Sequence, residues 1–477
     1  VRSSLRRYLV PSAAPRPRFA AEEAALAAPA PPEESREPPF ELSWHDYAVY
    51  LLHVASEVEH ALMVQYLYAA YSLGGAALGD AQSHESARIW REVILGIAKE
   101  EMGHLITVQN VLRLIGGPLH LEREDYPFRS EFYPFHFILE PLTKDSLAKY
   151  VVAEAPAKWL EEDPEAQPIK ERAKEADSGR EILPVGELYE RLVKLFERDD
   201  ALTDDDFRTD TEPYQASFDE WGRGYRKGER GNIGQESPKD TPNVLVEPVA
   251  NREGVITALK NIAQQGENPA IKSDTPAKIE ESHFQRFLNI YRAFPEEAPP
   301  SRHTPTNPST VESEGATYIE NEHSRLWAFL FNVRYRKLLY TLKHAFHVEE
   351  NEVTDRPTAR GNLISWTFGE MYNLRSVAAI LVTLPLTDAD DDKRAAGPPF
   401  QAPYTLSLPD WDSDKWRVHR DLINGSADLI TEIEKNAAEE HRLYLRALRD
   451  HDELTLQVVE RLMAAEMARE ETEENDA

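Results

Sequence analysis

Two short motifs in the chain carry the residue types that hold transition metals: Glu101-Met-Gly-His104 and Glu280-Glu-Ser-His283. On an α-helix, side chains three residues apart project from one face, so a carboxylate and an imidazole so spaced can share one ion. Each motif follows a further glutamate on the preceding predicted helix, Glu59 before the first and Glu267 before the second. One Glu from each of two helices and one Glu-x-x-His from each of two others can hold a pair of ions inside a four-helix bundle. The predicted metal ligands are therefore Glu59, Glu101, His104, Glu267, Glu280 and His283.

Helical phase separates these residues from the many solvated acids of the chain. At about 100° per residue, Trp90, Ile94, Ile97, His104, Leu105, Val108, Leu112 and Ile115 share a face with Glu101. Glu100 points about a quarter turn away, where it can only support a ligand. Leu52, Ala55, Leu62, Met63, Tyr66 and Ala70 surround Glu59, and Tyr66 reads as core. Glu57-Val-Glu-His60 has the same spacing, but His53, Glu57 and His60 lie on the opposite side, an outer face or a contact with a second domain. Glu280 is central among Phe284, Phe287, Ile290, Tyr291 and Phe294, with His283 at the edge of that stripe and Glu281 pointing away. Glu267 sits at the edge of the stripe of Ile256, Leu259, Ile262 and Ala263.

Four carboxylates in apolar surroundings need compensation. Two divalent cations balance four carboxylates, and two neutral imidazoles complete the donor set. Internal ion pairs are the alternative, but Lys260 is the one base on these stripes. Oxygen-rich ligation with one imidazole per ion suits two Fe ions, with Mn as the alternative, better than zinc or copper. The absence of cysteine excludes disulfides, thiolate zinc, iron–sulfur clusters and thiol nucleophiles. His344 and His347 read as surface or hydrogen-bonded histidines.

The elements that must position these residues are helices. One is predicted from an N-cap at Ser43 to about Leu73, ended by Gly74-Gly75, and another from Ser83 or His84 to Ile115, ended by Gly116-Gly117-Pro118. A crossover follows over about 120–250, with an extended aromatic segment at 132–139, charged loops around 161–182 and 199–242, and one short helix near 185–197. Helices at 251–266 and 276–294 complete the bundle. Beyond a Pro-rich linker (295–310), helices are expected at 318–347, 358–383 and 413–468, then a charged tail. The expected organisation is a disordered Ala/Pro-rich arm at 1–40, a bundle with its inserted crossover at 41–297, and a helical C-terminal domain at 311–477.

Across 477 residues the net charge is −30, which excludes binding to a phosphate backbone and repels anionic membranes. No apolar run reaches the ~18–20 residues of a membrane span. Arg6-Arg7 resembles an export signal, but charges at Arg16, Arg18, Glu22 and Glu23 interrupt the apolar stretch such a signal requires. The expected location is cytoplasmic, and a homo-oligomer is the expected assembly.

The stretches SEVEHALMVQYLYAAYSL, IAKEEMGHLITVQNVLRLIGGP, and QGE followed by EESHFQRF, with YP at 126–127 and VVAEAP at 151–156, resemble the ferritin-like domain family of iminophenyl-pyruvate dimer synthases. That family includes violacein- and rebeccamycin-pathway enzymes. The similarity spans roughly residues 45–295. It implies a mainly α chain: a ferritin-like four-helix bundle with a long crossover insertion and a second, mostly helical C-terminal region. It also implies that the six ligands above match the family's metal pattern. Leu62-Met63-Val64 departs from a Thr-Ile-Pro-like segment of many relatives. The implied function is a dinuclear metal oxidase, oxygenase or imine-coupling enzyme in secondary metabolism, taking a small-molecule, amino-acid-derived substrate with dioxygen or peroxide. The alternative is a non-enzymatic iron-binding or ferroxidase protein.

Overall fold

The computed structural model describes residues 42–74, 81–221, 225–226, 229–230, 244–267, 271–272, 279–296, 300–349, 358–403 and 405–476. The arm at 1–40 and much of the loop at 222–243 lie outside the described residues. From Trp44 onward the chain forms one compact unit. Among the described residues no helix is long and apolar enough to cross a membrane.

Helix α1 (Trp44–Ser72) and α2 (Ala81–Leu114) are the longest of the bundle and pack against each other. Gly74 after α1 and Gly116 after α2 take positive φ angles of 97° and 71°. Glycine reaches this region without a Cβ clash and so ends a helix cleanly. The second pair is α8 (Arg252–Glu267) and α9 (His283–Ala293). The side chain of Ser282 caps α9 by accepting from the Gln285 amide. Such a cap stabilises by about 1 kcal/mol, and it sets the helix start at His283. The expected helix 276–294 is corrected accordingly: Glu280 lies before the cap, in a two-residue strand β2 (Ile279–Glu280) antiparallel to β1 (Ile271–Lys272).

The crossover holds more helix than its composition suggested. It contains α3 (Lys144–Ala153), α4 (Ala157–Glu162), α5 (Ala166–Ala176), α6 (Val185–Phe196) and the single turn α7 (Phe218–Trp221). Thr143 and Ser146 form a reciprocal capping box at α3. Of the extended aromatic segment, only a bridge from Phe137 to Phe128 is paired. Helices α3 and α6 dock on the bundle, α3 against α9 and α6 against both α1 and α8.

In the C-terminal region, α10 (Glu322–Ala345) and α11 (Ala359–Leu381) match expectation. The single helix expected at 413–468 is instead two, α12 (Asp412–Glu434) and α13 (Glu439–Asp476). The break lets α13 return along α12, so that Arg449 pairs with Glu434 and Arg469 with Asp412. Helix α13 also extends through most of the expected tail. The linker at 295–310 does not divide the core in two. Tyr71 stacks on Phe400 at 6.5 Å, and Trp221 stacks on Phe346 at 6.0 Å.

Candidate metal centre

Glu101 is the hinge of the site. Its Oε2 lies 2.8 Å from His104 Nδ1, and its Oε1 lies 3.1 Å from His283 Nδ1. Glu59 Oε2 is 3.3 Å from the same nitrogen of His104, and Glu154 Oε2 is 3.6 Å from that of His283. Two buried groups of donor atoms result, Glu59/Glu101/His104 and Glu101/Glu154/His283, each with its atoms within 4.8 Å of one another. They share Glu101, one oxygen toward each histidine.

The elements explain how each donor arrives. Glu59 comes from mid-α1, and Glu101 and His104 from successive turns of α2. Glu154 is the C-cap of α3, its amide donating to Tyr150 O. His283 is the first residue of α9. Both imidazoles are oriented through Nε2: His104 donates to Gln265 Oε1 at 2.8 Å, and His283 to Glu100 Oε2 at 2.9 Å. Arg286 donates to the same Glu100 oxygen. With Nε2 carrying a proton, a neutral ring turns the lone pair of Nδ1 toward two carboxylates, an arrangement that calls for a proton or a cation between them. Tyr189 on α6 donates to Glu59 Oε1, and Tyr66 donates to Glu154 Oε1 at 2.5 Å.

The charge distribution fits a cation. Glu59 Oε2, Glu101 Oε1 and His283 Nδ1 are buried without a hydrogen bond, although they lie close to other donor atoms. Among the described residues no Arg or Lys pairs with Glu59, Glu101 or Glu154. Lys260, the base on the predicted stripe, instead pairs with exposed Glu197. Burial and the neighbouring Glu101 push the Glu59 carboxyl up to about 8. Burial disfavours charge on His104, yet Glu59 and Glu101 outweigh it and raise that imidazole to about 10. Burial likewise opposes ionisation of Glu101, but the two histidines hold it well below the usual carboxylate range. Two divalent ions would take over the role that protons play in this balance.

Of the predicted ligands, Glu59, Glu101, His104 and His283 converge. Glu267 lines the same cavity, where burial, then Glu190, Glu154 and Glu187, raise its carboxyl to about 7, but it belongs to neither donor group. Glu280 stands on β2, so helical spacing does not tie it to His283, and its side chain is outside the described residues. Sequence reasoning missed Glu154 as a member of a donor group and Gln265 as the partner of His104. The segment VVAEAP contains Glu154, but no histidine stands at helical spacing from it. Tyr66 is core as expected and is also a hydrogen-bond donor. The look-alike motif stays apart: His60 bonds Tyr335 of α10, and Glu57 meets His120 at 3.0 Å.

The cavity beside the donors is about 20 Å³, space for a water or a small ion. Glu59, Glu101, His104, Glu154, Tyr189 and Glu267 are among its lining residues.

A family model described as Ferritin-like matches residues 52–292. The chain is 25% identical over 403 residues to a 2-imino-3-(indol-3-yl)propanoate dimerase of Chromobacterium violaceum, covering 76% of this chain and 34% of that one. It is 25% identical over 378 residues to a dichlorochromopyrrolate synthase of Lentzea aerocolonigenes, covering 72% and 35% respectively. The chain thus spans about a third of the length of these curated relatives. A solved ferritin-like protein from Caulobacter vibrioides is 18% identical, covering 72% of this chain and 99% of that chain at a TM-score of 0.40.

Proposed function

This chain belongs to the ferritin-like family, and we propose that it is a dinuclear metal enzyme, iron-dependent with manganese as the alternative. The proposed reaction is oxidation, oxygenation or imine coupling of a small organic, amino-acid-derived substrate. The observation that carries the reading is the pair of buried donor groups joined through Glu101. One ion would take Glu59, His104 and one Glu101 oxygen; the other would take Glu154, His283 and the second oxygen. Such ions supply redox chemistry with dioxygen or peroxide.

The chain's own residues prepare that site. Tyr189 and Tyr66 hold the outer oxygens of Glu59 and Glu154, turning the other oxygen of each inward. Gln265 and Glu100 fix the ring orientation of the two histidines. Val185, Leu62 and Ile262 form apolar parts of the wall and limit water. Glu267 is a fourth carboxylate, within the cavity but away from the donor groups, and is proposed to complete the charge balance. The substrate class is drawn from the two curated relatives, whose names describe an iminopropanoate dimerase and a chromopyrrolate synthase.

A second reading, iron binding or iron oxidation without an organic substrate, is favoured by one feature: the cavity beside the donors, about 20 Å³, is of the size of a water or a small ion. Elemental analysis of protein purified without chelator or metal-affinity tag tests both readings. Two Fe or Mn per chain are expected. Chain that stays metal-free after anaerobic Fe(II) and Mn(II) loading would overturn both. Oxygen-dependent turnover of free Fe(II) over many cycles, with no consumption of amino-acid-derived imines, would replace the first reading by the second.

A further inference from the structure

The two halves of the site are matched in their carboxylates and differ behind their histidines. Each half has one carboxylate of its own, Glu59 or Glu154, and each of these accepts a tyrosine O–H. Each half shares Glu101. Behind His104, however, the acceptor of the Nε2 proton is the neutral amide oxygen of Gln265. Behind His283 it is the carboxylate of Glu100, itself paired with Arg286.

We infer that the two metal positions are unequal and that the one built on His283 fills first, an inference that rests on the dinuclear reading above. A carboxylate accepts a hydrogen bond more strongly than an amide and draws the Nε2 proton toward itself. The imidazole becomes a better donor at Nδ1, the atom that faces the ion. Net charge does not produce the difference, because the Glu100–Arg286 pair and Gln265 are both neutral overall. What differs is the group facing the ring. Glu100 and Gln265 are thus positioning residues that grade the two sites, and Arg286 keeps the buried Glu100 carboxylate partnered.

Sequence position underlies the asymmetry. Glu100 precedes Glu101 directly, so one turn of α2 supplies both the shared ligand and the acceptor behind His283. The acceptor behind His104 comes from the last turn of α8. Replacing either acceptor leaves all five donor residues in place.

Anaerobic titration of the full-length, metal-stripped chain with cobalt(II) tests this, read by calorimetry and by the visible absorption of the bound ion. Two resolved steps are expected, the first at least about tenfold tighter. His283→Ala should remove the tight step and His104→Ala the weak one. Glu100→Gln should weaken the first step by about 10–100-fold and leave the second in place. Because that change strands Arg286, the double variant Glu100→Gln/Arg286→Gln is run beside it, with folding checked by circular dichroism. Gln265→Glu should tighten the weak step. Two ions bound with one common affinity would overturn the inference while leaving the dinuclear reading intact. So would a tight step that survives His283→Ala, or a first step that keeps its affinity in a folded Glu100 double variant. Binding of fewer than two ions by the wild-type chain would overturn the dinuclear reading itself.

Discussion

Glu267 lays its carboxylate against Gly186, so closely that a Cβ on residue 186 would lie 1.5 Å from Oε1. Gly186 sits in the first turn of α6, where alanine is the better helix former by up to about 1 kcal/mol. A residue that costs helix stability here makes room for an acid from α8.

Gly186→Ala is therefore expected to fold with equal or slightly greater stability, because the colliding atom is the free end of a flexible side chain. The carboxylate of Glu267 must move, and metal retention should change as it does in Glu267→Ala. Urea unfolding and elemental analysis check the two halves. Metal content that falls in Glu267→Ala but not in Gly186→Ala would show that the slot is not needed to place the acid.

Glu154 should count as a ligand although its surrounding sequence does not mark it. Glu154→Ala is expected to lose about one ion per chain, measured by elemental analysis, with helical content unchanged. Glu280→Ala is the direct comparison. Loss of the ion from that variant with retention in Glu154→Ala would reverse the assignment.

His344 and His419 bond each other at 3.0 Å inside the C-terminal helices, close to Trp416. Burial, then nearby Lys415, lowers His344 to about 3, and burial, then His344, holds His419 well below its usual range. Both are neutral when folded but take up protons below about pH 6.5 when unfolded. The unfolded chain then binds more protons, so stability is full above that pH and falls as pH drops toward 3. The slope is up to about 1.4 kcal/mol per pH unit for each histidine. Urea unfolding from pH 7.5 to 5 should show a shallower slope in His419→Gln. An unchanged slope would rule out this linkage.

Arg334, Lys337, Glu370 and Asp452 form a buried quartet joining α10, α11 and α13, with Arg334 3.0 Å from Glu370 and Lys337 2.9 Å from the same carboxylate. Removing one member leaves an uncompensated charge. Arg334→Met is expected to destabilise by about 3–5 kcal/mol in denaturant unfolding and to leave metal content unchanged. A cost below about 1 kcal/mol would mean that the quartet behaves as surface pairs do.

The sequence by itself determined the bundle helices α1, α2 and α8, because their apolar residues recur at helical spacing and glycines follow the first two. It placed Glu59, Glu101 and His104 on buried faces for the same reason, since a charged residue inside an apolar stripe is visible wherever the stripe is regular, and the structure gathers the three into one donor group. It also set Glu57 and His60 aside, and both lie outside the donor groups, with His60 against Tyr335 of the C-terminal region. His283 was legible, but the helix around it was read too long, because the stripe runs without a break through a cap that only the fold discloses. Tertiary structure alone decided the rest. Glu154 stands at the end of a short crossover helix, Gln265 acts across the bundle on an imidazole far away in sequence, and Glu100, already read as a support, has its partner His283 chosen only by the packing. The turn between α12 and α13 interrupts no obvious pattern. Periodicity reports which face of a helix is buried, whereas a donor brought in by a cap, or a support facing another helix, is defined by contacts that exist only once the helices have packed.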